Sequence, residues 1–416
     1  MQANIAVLEG DGIGPEIMRE GLKVLNAIEK KYSHQFSPYS APFGAQAYFN
    51  EGSCFPDFTK KMCRDATAIL KGPVGLDAKA TKELQARGVK MEKDTVLALR
   101  EMFDSYCNYR PVTLHSQLAD FSPLRAEFID TGLAIMMMRE LTGGIYFGKK
   151  EEGVVAGKIV ADQARDDCVY TQHQIKRFAH ACFTEADKRK TSLTNVHKAN
   201  VLATSRLWNA CFTEVAHHYQ HVPFREMLVD SLATALITNP TSLNGVLALE
   251  NLQGDIITDQ GGGIIGSLGL MPSACINPET GKGYFEPAHG SAPDIAGKGI
   301  ANPYSMIGSV AFMLQHLGLE NEARDVLRAQ DRVFAQGYRT RELSRILSNS
   351  QKRARVQAAG VLFPAFTESM GYMLTREEFD GIVTRGYEQH DREVEKKVIL
   401  TSQFGDKVVE NILEAA

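Results

Sequence analysis

Short apolar runs and stretches of helical spacing follow one another along the chain, the pattern of an α/β protein. Asn4 to Leu8 is the first run. It ends in Glu9-Gly10-Asp11-Gly12-Ile13-Gly14-Pro15-Glu16, after which Ile17, Leu22, Val24, Leu25 and Ile28 recur at helical spacing. Strand, tight loop and helix are predicted in that order. Ala68 to Val74 predicts another strand, Gly75 to Asp94 is polar, and a helix begins near Thr95. Residues 146–170 mix Gly, Lys and Val in strand-like alternation; 173–190 predict an amphipathic helix, Ser192 to Val196 a strand, and Met227 to Asp230 the close of one more. Past Ala301-Asn302-Pro303 one helix runs to Leu317 and another from Glu320 to Gln336. Residues 344–398 are charged with helical spacing, and Thr401 to Asp406 opens a last helix.

Composition narrows the class. A chain of 416 residues has room for two or three domains. With 44% apolar and 23% charged residues it is an ordinary globular protein, and a net charge of -4 gives no reason to expect a nucleic-acid surface. Small-molecule partners are expected instead. The start, MQANIAVLEGDG, lacks the basic region and long apolar run of a secretory signal, and no apolar stretch suits a bilayer. Seven cysteines without CxxC spacing argue against a disulfide framework or thiolate zinc site. A reduced, cytoplasmic enzyme without membrane contact is expected.

Candidate chemistry concentrates between Glu250 and Asn302. Asp255 and Asp259 stand four apart, so a helix places both carboxylates on one face. Such a pair suits Mg2+ or Mn2+, which take one or two protein carboxylates and leave other positions to water and substrate. Alone, the pair is equally a solvated helix face. His289-Gly290-Ser291-Ala292-Pro293-Asp294 is a small-residue loop whose amides could approach a ligand, and Asp294 could accept hydrogen bonds from a ribose diol while repelling a phosphate there. Alone, the loop reads as an ordinary turn. Arg100, Arg110 in an Asn108-Tyr109-Arg110-Pro111 turn, and Arg139 before Leu141-Thr142-Gly143-Gly144 could clamp a dicarboxylate, since a guanidinium fork matches a carboxylate. Any one of them alone reads as a surface salt bridge. Lys198 at a strand end would suit a general base if a neighbouring cation lowered its pKa, or would be solvated. Gly261, Gly263 and Gly266 fit GxGxxG literally, but the segment before them is polar, so they are not read as a dinucleotide fingerprint.

These motifs together resemble the isopropylmalate/isocitrate dehydrogenase family, the metal-dependent β-decarboxylating dehydrogenases. GDGIGPE, ALRE, YRPV, RELTGGIYFG (139–148), VHKANVL (196–202), GDIITD and HGSAPDIAG occur in family order and span about residues 3–343, with a weaker return near the C-terminus. The resemblance implies an α/β, two-domain isopropylmalate dehydrogenase-like fold, not a classical Rossmann fold, with a discontinuous cofactor-binding domain (1–105 and 268–416, with 344–398 inserted) and a substrate and dimerisation domain (106–267). It implies NAD, bound by Ile13, His289 to Asp294 and Asn302, and Mg2+ or Mn2+ held by Asp255, Asp259 and Asp230. Tyr146 and Lys198 would be catalytic. Arg100, Arg110, Arg139 and Asp230 would hold a hydroxy-dicarboxylate, with Val96 and Leu97 reading its side chain. Residues 146–170 would be an arm reaching the other subunit of a homodimer, whose sites are shared because Lys198 and Asp230 act across it. The substrate implied is 3-isopropylmalate, favoured by Val96, Leu97 and the Ser205-Arg206-Leu207-Trp208 run; Lys93 and the HKAN sequence point instead toward isocitrate or homoisocitrate, with malate and tartrate further alternatives. Relatives carry glutamate at Gln260 and alanines at the glycines that follow. Because helical glycine costs about 1 kcal/mol relative to alanine, a looser turn or altered cofactor contact is expected there. A non-catalytic, ligand-binding relative is the reading from another class.

Overall fold

The computed structural model describes residues 1–155, 158–344 and 395–414, together with 377, 380, 381, 383 and 384. In chain order the first elements are β1 (Gln2–Leu8), α1 (Gly14–Tyr32), β2 (Gln35–Ser40), α2 (Ala45–Glu51), α3 (Asp57–Asp65), β3 (Ala68–Lys71), α4 (Ala78–Ala86), α5 (Ala98–Phe103), β4 (Cys107–Thr113) and β5 (Ala134–Glu140). Two exposed ribbons follow, from β6 (Lys150–Glu151), β7 (Val154–Val155), β8 (Lys158–Ile159) and β9 (Arg165–Asp166). Next come α6 (Gln172–Arg189), β10 (Leu193–His197), α7 (Ala203–Ala216), β11 (Phe224–Leu228), α8 (Val229–Thr238), β12 (Gly245–Leu249) and α9 (Asn251–Ile264). The last are β13 (Pro272–Asn277), β14 (Lys282–Pro287), α10 (Tyr304–His316), α11 (Glu320–Ala335) and α12 (Thr401–Glu414).

One ten-stranded sheet organises the chain, in the order β11-β10-β12-β5-β4-β13-β14-β3-β1-β2. Both flanks are parallel, whereas β5/β4, β4/β13 and β13/β14 are antiparallel. The antiparallel centre therefore joins two parallel α/β halves, and β4 and β5 carry Arg110 and Arg139 there. Helices cover the sheet because their apolar stripes need burial. On α1, Ile17, Val24, Leu25 and Ile28 are buried, Pro15 sits in the first turn where no amide is needed, and Ser33 ends the helix in a left-handed conformation.

Several local expectations change. The Asn108–Pro111 turn is part of β4. Pro111 is tolerated there because the ladder with β13 ends at Tyr109, so the proline lies where that edge has no partner to satisfy. The strand predicted from Met227 to Asp230 ends at Leu228, and Asp230 lies in the first turn of α8. The helix expected near Thr95 begins at Met91 and passes through a π turn, Lys93–Leu97, before α5. The glycine cluster is helical rather than loose: α9 continues through Gly261, Gly262 and Gly263 to Ile264. A Cβ at Gly261 would lie 2.7 Å from Val112 Cγ2, and one at Gly262 would run into Leu268 and Met271. Close packing of α9 on β4 and the following turn explains these two glycines. The predicted helical insertion at 344–398 lies almost wholly outside the described residues; around it, Arg339 N donates to Lys397 O and Ile399 N to Arg339 O.

Candidate active site

Helix α9 begins after Glu250, whose carboxylate accepts hydrogen bonds from Leu252 N and Gln253 N, an N-terminal cap. Asn251, Asp255 and Asp259 then fall at intervals of four on one face, while Ile257, Gly261 and Ile264 are buried. That polar face meets the arginines of β4 and β5. Arg139 is 2% exposed. Its Nη1 is bound to Asp255, and its Nε and Nη2 donate to Asn251 Oδ1 at 3.1 and 2.8 Å. Gly254 leaves room for its stem, since a Cβ there would lie 2.7 Å from Arg139 Cγ. Arg110 donates from Nε to Asn108 Oδ1 at 2.6 Å and from Nη1 to Thr258 Oγ1 at 2.8 Å, with Asp259 Oδ1 at 3.4 Å. Tyr146 OH donates to Asp255 Oδ2 at 2.8 Å, and the Arg139 guanidinium lies 5.6 Å from its ring centre.

The cluster is strongly cationic. Burial, with Arg100 and Arg110 nearby, pulls Arg139 down to about 10. Arg100 is also buried, its Nε without a hydrogen-bond partner among the described residues. Burial pushes Asp255 up, but Arg139, the Tyr146 hydroxyl, Arg110 and Arg100 outweigh it and hold the carboxyl below its usual range. At Asp259 burial wins over Arg110, and the pKa is raised. Tyr146 is pushed up to about 12 by burial and then by its bond to Asp255, so its phenol proton is retained at neutral pH.

A second group forms around the loop after β14. Ile13 N donates to Ser291 O at 2.9 Å, and a Cβ at Gly12 would collide with that carbonyl. Ile13, Leu268, His289, Ala292, Asn302 and Glu342 line a pocket of about 210 Å3. Burial lowers the His289 pKa below the usual imidazole range; Nδ1 is 2.8 Å from Gly290 O, and buried Nε2 has no partner among the described residues. Asn302 Nδ2 donates to Glu342 Oε1 at 3.0 Å, and Asp294 is exposed on the turn that follows Pro293. Val96 and Leu97 are half-buried on the π turn leading to Arg100.

Lys198 and Asp230 form a third group, with Nζ 2.8 Å from Oδ1. Helix α8 packs on α9, Gln260 Nε2 donating to Ala233 O at 3.3 Å, yet the described residues contain no cluster of three or more His, Cys, Asp or Glu suited to a metal. Asp230 therefore does not join Asp255 and Asp259 within one chain. Asn108, Asn251, Thr258 and Glu342 carry site contacts that sequence reasoning missed. Asn108 and Asn251 had a readable signal, lying two residues before Arg110 on a strand and four before Asp255 on a helix.

The sequence profile of the isocitrate/isopropylmalate dehydrogenase family matches residues 4–358. The chain belongs to the isocitrate/isopropylmalate dehydrogenase family. Relatives include a 3-isopropylmalate dehydrogenase from Haemophilus influenzae, 44% identical over 342 residues, 82% of this chain and 94% of that one. Another, from Halalkalibacterium halodurans, is 41% identical over 346 residues, 83% of this chain and 93% of that one. Among solved structures of the family, an isocitrate dehydrogenase from Methylococcus capsulatus matches with a TM-score of 0.75 and 27% identity, over 98% of this chain and 99% of that one. A β-decarboxylating dehydrogenase from Thermococcus kodakarensis gives 0.65 and 29%, over 94% and 96%.

Proposed function

We propose that the chain catalyses NAD- and divalent-metal-dependent oxidative decarboxylation of a 2-hydroxy acid bearing a 3-carboxylate, with 3-isopropylmalate as substrate. The observation that carries this reading is the convergence of Arg110, Arg139 and Tyr146 on Asp255 and Asp259, beside buried Arg100, in a chain 41–44% identical to 3-isopropylmalate dehydrogenases. Three guanidiniums suit a dianion, and Arg100 Nε awaits an acceptor. Asp255 and Asp259, with the partner subunit's Asp230, would hold Mg2+ or Mn2+; two half-exposed carboxylates from one helix fit a hard cation that keeps an open side. The loop 289–294 with Ile13 and Asn302 would hold NAD, and the orphaned His289 Nε2 fits a polar ligand there.

Bound NAD supplies a hydride acceptor for C2, and the bound cation supplies Lewis-acid pull on the C2 oxygen. Arg100, Arg110 and Arg139 orient the carboxylates. Lys198 takes the hydroxyl proton, and Tyr146, protonated at neutral pH, gives a proton to C3 as carbon dioxide leaves. Val96 and Leu97 face the substituent on C3.

Two features support a homodimer with shared sites. Lys198 and Asp230 stand apart from the α9 cluster, and Val201, Ile237 and Ile256 beside these residues are 62%, 52% and 62% exposed. The exposed ribbons at 150–166 are the arm of that dimer. No described helix is long and apolar enough to cross a membrane.

Isocitrate is the second reading. Lys93 and the HKAN sequence favour it, and the Methylococcus isocitrate dehydrogenase shares the fold at 27% identity. The test is NADH formation by purified protein with Mn2+, NAD and, in turn, 3-isopropylmalate, isocitrate, homoisocitrate, malate and tartrate. Fastest turnover of 3-isopropylmalate, lost on chelation, is expected. Preference for isocitrate would replace the substrate, and binding without turnover of any would favour a non-catalytic relative. NAD is expected to exceed NADP in kcat/KM because Asp294 repels a ribose phosphate.

A further inference from the structure

We infer that Asn108 and Asn251 are positioning residues that fix two substrate-binding guanidiniums through uncharged acceptors, leaving the cationic charge for the substrate. The inference rests on the dicarboxylate reading of the arginine cluster. Both asparagines are fully buried. Asn251 Oδ1 receives Arg139 Nε and Nη2, its Nδ2 donates to Gly143 O at 3.0 Å, and its backbone N donates to Tyr170 OH at 3.0 Å. Asn108 Oδ1 receives Arg110 Nε, while its Nδ2 faces Ser273 Oγ at 2.6 Å, Ala274 O at 3.1 Å and Cys275 Sγ at 3.3 Å. Each amide is thus locked from behind and cannot turn its nitrogen toward the arginine without opposing donor to donor.

An amide oxygen and a carboxylate oxygen orient a guanidinium equally well, but only the carboxylate cancels its charge. The aspartates near the same arginines belong to the proposed cation site, so they are not free to be permanent counter-ions. Amide backing keeps the geometry when the aspartates are engaged elsewhere.

The test is calorimetric binding of 3-isopropylmalate, with Mg2+ and without NAD, to wild type, Asn251→Asp and Asn108→Asp, alongside kcat, KM and the Kd for NAD. The acidic variants retain an acceptor but add a charge. Expected is a rise of about 10-fold or more in substrate Kd and KM, with a smaller change in kcat and an unchanged Kd for NAD. Tyr170→Phe, which loosens Asn251 without adding charge, is expected to raise KM by about 2- to 5-fold and provides a milder variant if an acidic one fails to fold. A wild type that binds substrate while the folded variants bind it equally well overturns the inference and leaves the function standing. Wild type that neither binds nor oxidises any acid of the panel overturns the functional reading and the inference with it.

Discussion

Arg139, 2% exposed, is tied to Asn251 and Asp255, whereas the Lys198 and Asp230 side chains are 28% and 60% exposed and paired with one another. The first set is completed within the chain: a capped helix presents Asp255, a neighbouring strand presents Arg139, and buried amides hold the join. The second set has its charges aligned but little packed around them. Exposed ion pairs contribute little to stability, which fits the proposal that Lys198 and Asp230 serve the site of a partner subunit. Ile237 on α8 and Ile256 on α9 are both more than half exposed, and the proposed dimer would cover them.

That contrast can be broken by substitutions whose effects separate activity from stability. Lys198→Ala is expected to lower kcat by about 100- to 10,000-fold while leaving the denaturation midpoint unchanged. A large loss of stability would show that the pair is structural. The built side should behave in the opposite way. Beneath it, Lys71 and Glu286 form a buried ion pair; burial pushes Glu286 up, but Lys71, Arg100 and Arg110 together hold it below the usual glutamate range. Lys71→Met leaves that carboxylate buried without its ion-pair partner and is expected to cost about 3–5 kcal/mol in urea unfolding. The sign with pH follows: because its folded pKa is depressed, Glu286 contributes stability above the ordinary glutamate value of 4.5, and this is lost as pH falls through the lower folded value. An unchanged urea midpoint for Lys71→Met would remove the pair from the scaffold.

The smallest effects test the packing that seats α9. Gly262→Ala places a methyl group against Leu268 and Met271 and is expected to destabilise by about 1–3 kcal/mol. Gly263→Ala, with open space around the added carbon, should instead stabilise by about 0.5–1 kcal/mol. Equal effects at the two positions would contradict the packing account.

The same contrast governs what could be read from sequence. The face shared by Asp255 and Asp259 was legible because it depends only on helical period, and the loop joining β1 to α1 because apolar run, glycines and proline all agree. Arg110 was misread as part of a turn because the sequence around Pro111 does not reveal that the β13 ladder stops two residues before the proline. Gly261 and Gly262 were read as looseness because Val112 and Leu268, the groups that require their smallness, come from elsewhere in the chain. Asn251 was overlooked for the same reason, since Arg139 comes from a distant strand, whereas Asn108 stands two residues before Arg110 and could have been found from strand period.

The most direct measurement uses a purified heterodimer of differently tagged subunits, one carrying Lys198→Ala and the other Asp255→Asn. If each reaction centre joins α9 of one subunit to Lys198 and Asp230 of its mate, one of the two centres keeps both native residues, and about half of wild-type activity is predicted. A heterodimer as inactive as either mutant homodimer would place Lys198 and Asp255 of the same chain in one centre and contradict the shared-site account.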